Sequence, residues 1–445
     1  MNPEVDFVLK TIKSRDVHFV RLWFTDVLGT MKSFAVSPSE IENAFQDGMG
    51  FDGSCVAGFS PTEESDMLAF PDPSTFQVLP WRPAKDAVAR MFCDIRTPDG
   101  ASFEGDPRNV LRRITNQAAE EGFSFNVGPE LEYYYFKDPS APTVLDHGGY
   151  FDLTGLDYAS DLRRGTVLAL EKMGIPIEYS HHENGPSQHE IDLRYTDALS
   201  MADAVMTYKL VVKEIARVHE VFASFMPKPL TDAPGSGMHV HQSLVDRDGN
   251  NVFYDENDPL GYNLSQTAKH YIAGILKYAP EFCLVTNQYV NSYKRLVGKG
   301  EVPACLSWAR TNRSALLRVP GYRPHRPEAC RVELRSPDPS ANPYLAFAVM
   351  LAAGLAGIRE KLDLMDPIED ENLFAFSSQA MREAGLPMLP TNLGEAVELF
   401  ASSELMKQTL GEHIHSYLVE TKRAEWTEYL RQVSKWELDK YLAVL

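Results

Sequence analysis

Polar side chains at every second position mark several short segments of this chain as strands with one charged face. In residues 331–335 the charged Arg331, Glu333 and Arg335 alternate with two apolar residues. Successive side chains of a strand point to opposite faces, so the three charges share one face. Buried charges need partners or a ligand. A solvated strand face is the simpler interpretation of any one such segment.

The same alternation recurs along the chain, and this recurrence favours a functional interpretation. Glu130 and Glu132 are two residues apart, as are His239 and His241, and residues 188–192 again carry polar side chains at alternate positions. Strands that carry carboxylates or imidazoles at alternate positions predict a sheet whose concave face holds metal ions and anions.

The remaining pattern predicts an α+β chain rather than a strict alternation of strands and helices. Predicted strands cover 17–24, 30–36, the Glu130/Glu132 segment and 183–194. Predicted helices cover about 39–45, 107–122, 161–173, 197–218, 264–279 and 341–361, with 394–445 mostly helical. A boundary is expected near Asp106, a good helix N-cap followed by a proline. No GxGxxG or Walker loop follows a strand, so any nucleotide site is of another kind.

Composition narrows the possible partners. The 445 residues carry a formal charge of −19, which argues against nucleic acid or an anionic membrane as the main partner. Residues 291–335 differ, because ten Lys and Arg against three Glu give a net +7 there. An acidic protein with such a segment is expected to bind a small anion.

Five scattered cysteines indicate a reduced, cytoplasmic protein, and no signal peptide or membrane span is expected.

An oxygen-rich ligand set with one imidazole favours Mg²⁺ or Mn²⁺ over zinc. Such a set could hold two ions and would suit phosphoryl transfer, which needs charge neutralisation. A single glutamate is more often a surface residue, so the argument depends on the set as a whole. The candidates are Glu130, Glu132, Glu183, Glu190, His239 and Glu333.

Glycines and arginines in the second half of the chain suggest anion binding. The turn at Gly235–His239 allows a ligand to approach backbone amides, although an ordinary hairpin turn explains it equally well. Arginine is favoured where a carboxylate or phosphate is gripped by two donors. The candidates are Arg295, Arg313, Arg318 and Arg335. The glycine-flanked loop with Glu301 is a candidate lid.

Taken together, these motifs resemble the type I glutamine synthetase family over essentially the whole chain. The matching segments are residues 51–59, 128–136, 181–195, 225–230, 235–244, 291–296, 312–320 and 331–345. The resemblance implies a small N-terminal β-grasp domain, residues 1–103, and a catalytic domain, residues 104–445, with a curved antiparallel sheet flanked by helices. It also implies a homo-oligomer, a dodecamer of two hexameric rings with active sites shared between neighbouring subunits.

The resemblance also assigns roles to individual residues. One divalent ion would be held by Glu132, Glu183 and Glu190, and the other by Glu130, His239 and Glu333. Glutamate would be bound by Gly235, Arg295 and Arg335, and ATP by His241, Ser243 and Arg318. Arg313 would stabilise the transferring phosphoryl group, and Glu301 would close over the intermediate. Asp52, from the neighbouring subunit, would form the ammonium site with Tyr150, and Glu183 would also bind substrate.

The activity this implies is an ATP-dependent ligase of nitrogen metabolism that forms glutamine from L-glutamate and ammonia through γ-glutamyl phosphate. One alternative is a ligase on the same scaffold that joins glutamate to an organic amine or polyamine. Another is a non-catalytic nitrogen sensor or structural oligomer, which would have no need for clustered carboxylates. A metal-dependent hydrolase is disfavoured, because hydrolysis of a neutral bond does not need so many arginines.

The chain departs from the family pattern at a few positions. Pro234 replaces an asparagine that contacts substrate, so weaker glutamate binding is expected, and Cys55 replaces a serine. Phe374 replaces a tyrosine that one subgroup adenylylates, and Pro61 replaces an arginine linked to feedback inhibition in another. We therefore expect no adenylylation and weak inhibition by glutamine.

Overall fold

The computed structural model describes residues 2–59, 66–153, 155–297, 305–323, 325–369, 373 and 386–445. Within these residues the chain builds two separate sheets with helices around them, which confirms the α+β class.

The first sheet is six-stranded and lies in the N-terminal hundred residues. Its strands are β1 (Val17–Thr25), β2 (Met31–Val36), β3 (Met49–Asp52), β4 (Asp66–Pro71), β5 (Gln77–Val78) and β6 (Ala87–Arg96). Their order is β2-β1-β6-β4-β3, with β5 also paired to β6 and with β1 and β6 parallel. Two helices accompany the sheet, α1 (Pro3–Ser14) and α2 (Ile41–Asp47). The predicted strands near 17–24 and 30–36 are confirmed.

The second sheet is ten-stranded and carries most of the predicted site residues. Its strands are β7 (Ser124–Asp138), β8 (Ala141–Val144), β9 (Ile177–His182), β10 (Gln188–Leu193), β11 (Thr196–Asp197), β12 (Phe222–Ser224), β13 (Met238–Val245), β14 (Trp308–Ala309), β15 (Leu317–Arg318) and β16 (Val332–Leu334). The main order is β14-β15-β16-β13-β7-β10-β9. Its described pairings are antiparallel, apart from the parallel β14 and β15.

Helices pack around this sheet and supply most of the larger core. They are α3 (Pro107–Glu120), α4 (Ser160–Lys172), α5 (Ala198–Val218), α6 (Gln266–Thr286), α7 (Val290–Leu296) and α8 (Pro343–Glu360), followed by Leu393–Ala401, Glu404–Leu410, Glu412–Leu430 and Lys435–Tyr441. Asp106 caps α3 as predicted, because its side chain accepts from the Arg108 amide. The predicted end of α6 near 279 is wrong. The helix continues through Pro280, since residues 282–285 are buried against the core.

The expectation that no segment reaches the length of a membrane span needs one correction. Helix α8 is 18 residues long and apolar enough to cross a membrane by length and composition. However, 83% of it is buried inside the protein. Its apolar character therefore serves the core that packs behind the second sheet.

A buried arginine joins the first sheet to the helices that pack on the second. Arg108 donates from Nε and Nη2 to the two oxygens of Asp203 on α5, at 3.1 and 2.9 Å. It also donates to Asp94 on β6 at 2.5 Å and to Asp72 at 2.8 Å. The three carboxylates thus neutralise the Arg108 guanidinium, which would be costly to bury alone. This network fixes the N-terminal sheet against the helices behind the second sheet.

We expect Arg108→Ala to lower the free energy of unfolding by about 3–5 kcal/mol, because it removes the positive charge that pairs with the buried Asp203 and with the half-buried Asp72 and Asp94. Chemical denaturation measures this. The matched control is Arg423→Ala, which breaks an exposed ion pair with Glu398 and should cost at most about 1 kcal/mol. Equal losses in the two variants would contradict the role of the network.

Candidate active site

Strand register on the second sheet places like charges directly opposite each other. Glu130 on β7 lies opposite Asp192 on β10, and Glu132 lies opposite Glu190. On the other side of β7, His239 lies opposite Glu130. Like charges directly across a strand pair are destabilising. A cation bound on this face would relieve the repulsion.

Glu130 is held through both of its carboxylate oxygens. Arg331 donates from Nε to His241 Nδ1 at 3.2 Å, so His241 carries its proton on Nε2. That nitrogen lies 2.6 Å from Glu130 Oε1, and His239 Nδ1 lies 3.3 Å from Oε2. Burial raises the pKa of Glu130, but hydrogen bonds with the two histidines outweigh it and hold the pKa well below its ordinary range. Glu130 is therefore an anion.

Glu333 approaches the same position from β16. Arg318 donates from Nε to Glu333 Oε2 at 2.5 Å, and His239 Nδ1 lies 3.5 Å from Oε1. One ligand atom each from Glu130, His239 and Glu333 lie within 4.8 Å of one another. The structure thus brings together the three residues predicted for one metal ion, while their role as ligands stays a prediction.

The second predicted ligand set is arranged differently from the expectation. Glu183 lies in the turn after β9, so the predicted strand over 183–194 is too long and only 188–193 is strand. Ligand atoms of Glu183 and Glu190 group with His181 within 4.8 Å. Glu132 instead accepts from Gln188 Nε2 at 3.0 Å and from the Gly237 amide at 2.9 Å.

Asp192 is a further carboxylate on this face. Only 4% of the residue is exposed, yet neither of its oxygens accepts a hydrogen bond within the described residues. Burial, assisted by the charge of Glu130, raises the pKa of Asp192 to about 7. A buried oxygen without a donor is stabilised by a cation, and carboxylates with one imidazole suit Mg²⁺ or Mn²⁺. The donor set therefore fits the predicted divalent ions.

The predicted residues divide between two cavities on this face. A cavity of about 570 Å³ is lined by Glu130 and Asp192 and by His241 and Ser243, two of the three residues predicted for ATP. A cavity of about 1010 Å³ is lined by residues of the predicted glutamate and metal sets, namely Glu132, Glu183, Gly235, His239, Arg295 and Arg335. Another of about 1060 Å³, near residues 386–399, contains none of the predicted residues.

Two buried arginines that line the 1010 Å³ cavity each have a donor without an acceptor within the described residues. Arg295 donates through its Nη atoms to the backbone carbonyls of Ser336 and Arg335, at 2.7 and 3.3 Å. The Nε atoms of Arg295 and Arg335 are buried and donate to no acceptor within the described residues. A Cβ on Gly235 would lie 2.8 Å from Arg295 Cγ, so glycine is needed for this approach. The arrangement suits a carboxylate ligand.

The remaining predicted residues lie at the edge of the site or beyond it. Tyr150 is 49% exposed, and its ring centroid is 5.3 Å from that of His181. Burial and the charge of Glu183 raise the pKa of Tyr150. Arg313 is exposed, and Asp52 lies exposed at the end of β3 on the first sheet. Glu301, Pro61 and Phe374 lie outside the described residues.

Sequence reasoning missed three residues that the structure places in the site. Asp192 and Gln188 share a strand face with Glu190, so the alternating pattern contained a signal for both. His181 precedes Glu183 by two residues and joins it through the turn. Nothing in the pattern distinguished it from the neighbouring His182.

Comparison with known proteins identifies the family. The sequence model described as "Glutamine synthetase, beta-Grasp domain" matches residues 16–98, and "Glutamine synthetase, catalytic domain" matches residues 104–441. The chain belongs to the glutamine synthetase family. The match to the first model also confirms the predicted β-grasp fold, whereas the boundary at residue 103 stays a prediction.

Relatives within this family match along the whole chain. The chain is 51% identical to a glutamine synthetase of Mycolicibacterium smegmatis over 450 residues, covering 100% of both chains. It is also 51% identical to a glutamine synthetase of Methanosarcina mazei, covering 98% of this chain and 97% of the relative. A solved structure, "GmaS/ADP complex-Conformation 1", superposes with a TM-score of 0.87 at 30% identity, covering 98% of this chain and 99% of that one.

We expect Mn²⁺ to raise the melting temperature, because a cation relieves the repulsion between opposed carboxylates. At one hundred times the dissociation constant the gain is about 2.7 kcal/mol per site. Glu190→Gln should shrink this gain without lowering the melting temperature of the metal-free protein. Thermal unfolding with Mn²⁺ or with a chelator measures both values, with the exposed Glu120→Gln as control. An unchanged gain in Glu190→Gln would contradict the assignment.

Proposed function

We propose that this protein is an ATP-dependent ligase that forms glutamine from L-glutamate and ammonia through γ-glutamyl phosphate. The observation that supports it best is the row of opposed carboxylates, of which Glu130 and Asp192 line one cavity and Glu132 lines the other. One cavity is lined by two of the three residues predicted for the nucleotide, and the other is lined by two buried arginines with unused donors. The identity of about 50% to named glutamine synthetases supports the same reaction.

The first half of the reaction is the transfer of a phosphoryl group between the cavities. Arg295 and Arg335 would bind the glutamate carboxylates and aim the γ-carboxylate toward the row that contains Glu132. One γ-carboxylate oxygen then bonds to the γ-phosphorus of ATP, and the bond from that phosphorus to the bridging oxygen of ADP breaks. Divalent ions at Glu130, Glu132, Glu183, Glu190, His239 and Glu333 would neutralise phosphate charge.

The second half is attack by ammonia on the activated carboxyl group. A carboxylate is a poor electrophile until it is phosphorylated, so the acyl phosphate must be protected from water. Tyr150 and Glu183 would hold the ammonium ion, and Asp52 of a neighbouring subunit would accept its proton. The ammonia nitrogen then bonds to the γ-carbon and inorganic phosphate leaves. Arg313 would stabilise the transferring phosphoryl group, and Glu301 would close over the intermediate.

The shared site requires a homo-oligomer, and we propose a cytoplasmic dodecamer. Asp52 is on the first sheet, while Tyr150 is on a loop of the second, and both are exposed. Large apolar side chains are also exposed around Tyr150 and at the C-terminus. They are Phe151, Leu153, Tyr158, Trp436, Leu442 and Val444. Contact between copies would cover such a surface.

The decisive assay measures phosphate release by purified protein with ATP, Mg²⁺ and glutamate, with ammonia or a panel of amines as acceptor. We expect ammonia to give the highest kcat/KM, because the named relatives at about 50% identity are glutamine synthetases. Putrescine or ethanolamine above ammonia would favour the amine ligase instead. Absence of any turnover would favour a non-catalytic homologue.

Glu132→Ala and His239→Ala should each abolish turnover while leaving the oligomer intact. These two substitutions are chosen because the residues belong to different predicted ligand sets, and His239 groups with Glu130 and Glu333. Phosphate release and light scattering provide the two measurements. The exposed Glu120→Ala and His18→Ala are the matched controls. Normal turnover in either site variant would refute the metal assignment.

A further inference from the structure

A carboxylate behind the site, Asp146, ties the loop that carries Tyr150 to the turn that carries Glu183. It accepts from the backbone amides of Ser187 at 2.8 Å, Tyr158 at 3.1 Å and Gly148 at 3.3 Å. Two of these donors belong to the Tyr150 loop, and Ser187 belongs to the turn between β9 and β10. Asp146 is 9% exposed. A single buried side chain therefore fixes both segments.

His182 extends the connection to Glu183 itself. Its Nε2 lies 3.0 Å from Asp146 Oδ1, and its Nδ1 lies 2.7 Å from the Glu183 carbonyl oxygen. Both neighbours are acceptors, so both ring nitrogens donate. The Phe151 amide, next to Tyr150, donates to the His182 carbonyl at 3.1 Å. His182 is fully buried.

Close packing leaves this connection little freedom. A Cβ on Gly148 would lie 2.8 Å from His182 Nε2, so only glycine fits there. Ser187 adopts a φ of 59°, which non-glycine residues seldom do, and its Oγ accepts from the amides of Leu145 and Asp146 at 2.7 and 3.0 Å. The loop and the turn are thus held in one arrangement.

A metal ion does not explain the cluster, although Asp146, His182 and His189 offer ligand atoms within 4.8 Å of one another. Arg163 Nη1 lies 2.8 Å from His189 Nδ1, which places a fixed positive charge in the cluster. Since arginine can only donate, His189 Nδ1 is occupied as an acceptor. His182 likewise uses both nitrogens as donors. His189 Nε2 then carries the ring proton, so neither histidine offers a lone pair to a cation.

We propose that Asp146 and His182 are positioning residues for the ammonium subsite formed by Tyr150 and Glu183. This inference rests on the proposed function and deepens it, because it assigns acceptor binding to a pair of residues that do not contact the substrate. Asp146 sets the loop, and His182 sets the Glu183 backbone. Substitution of residues that orient metal ligands typically lowers affinity or activity by about 10–100-fold, and we expect an effect of similar size here.

The test compares substitutions that break one bond at a time. His182→Asn can keep the donor toward the Glu183 carbonyl but loses Asp146, whereas His182→Gln can keep Asp146 but loses the carbonyl. Asp146→Asn retains an acceptor without the charge. The matched control is Asp258→Asn. Asp258 is an equally buried hub that accepts from three backbone amides and Lys269, outside both candidate cavities.

We expect the KM for ammonium to rise about tenfold or more in Asp146→Asn and in both His182 variants. The KM values for ATP and glutamate should stay within about twofold. Hydroxylamine is largely uncharged at neutral pH and needs no deprotonation, so its turnover should be retained. Asp258→Asn should leave the KM for ammonium unchanged. Melting temperatures identify any variant that has lost its fold, and the other substitutions then decide.

Two results would overturn the inference. One is an equal loss with ammonium and hydroxylamine, which indicates a merely structural role. The other is an unchanged KM for ammonium in folded variants. Failure of the proposed function is recognised separately, because the unsubstituted protein would then form no glutamine from ammonium.

Discussion

Electrostatic repulsion across β7 and β10 is the constraint on which the site depends. Two pairs of carboxylates face each other in register, Glu130 with Asp192 and Glu132 with Glu190. A sheet tolerates such pairs only with compensation, which two histidines provide at Glu130 and which Gln188 and the Gly237 amide provide at Glu132. Compensation is incomplete at Asp192, whose oxygens have no donor within the described part of the chain. A cation bound beside these carboxylates would relieve the repulsion that remains.

The regular part of this arrangement could be predicted from the sequence. Alternation along β13 gave the two faces correctly, since Met238 and Val240 are buried while His239 and His241 are half-buried. Charge at Glu333 likewise lies with Arg318 and His239 on one face. An alternating pattern carries this information because successive side chains of a strand point to opposite faces of the sheet.

Irregular segments could not be predicted in the same way. Glu183 lies in a turn, where no period applies, so its grouping with His181 follows only from the three-dimensional path. Asp146 is 36 residues before His182 and reaches it through a loop without any repeating pattern. Local preference also failed at Pro280, where burial of the following residues keeps α6 helical. Contacts between residues distant in sequence determined these cases, and the local sequence pattern does not report such contacts.

The two cavities share one strand. Glu130 lines the smaller cavity and Glu132 the larger, and residues two apart on a strand are separated by only about 6–7 Å. Charge brought into one cavity therefore acts on carboxylates that line the other. Linkage makes that influence mutual, so each ligand changes the affinity for the other by the same factor. The strand would thus couple binding of the proposed ligands in the two cavities without any moving part.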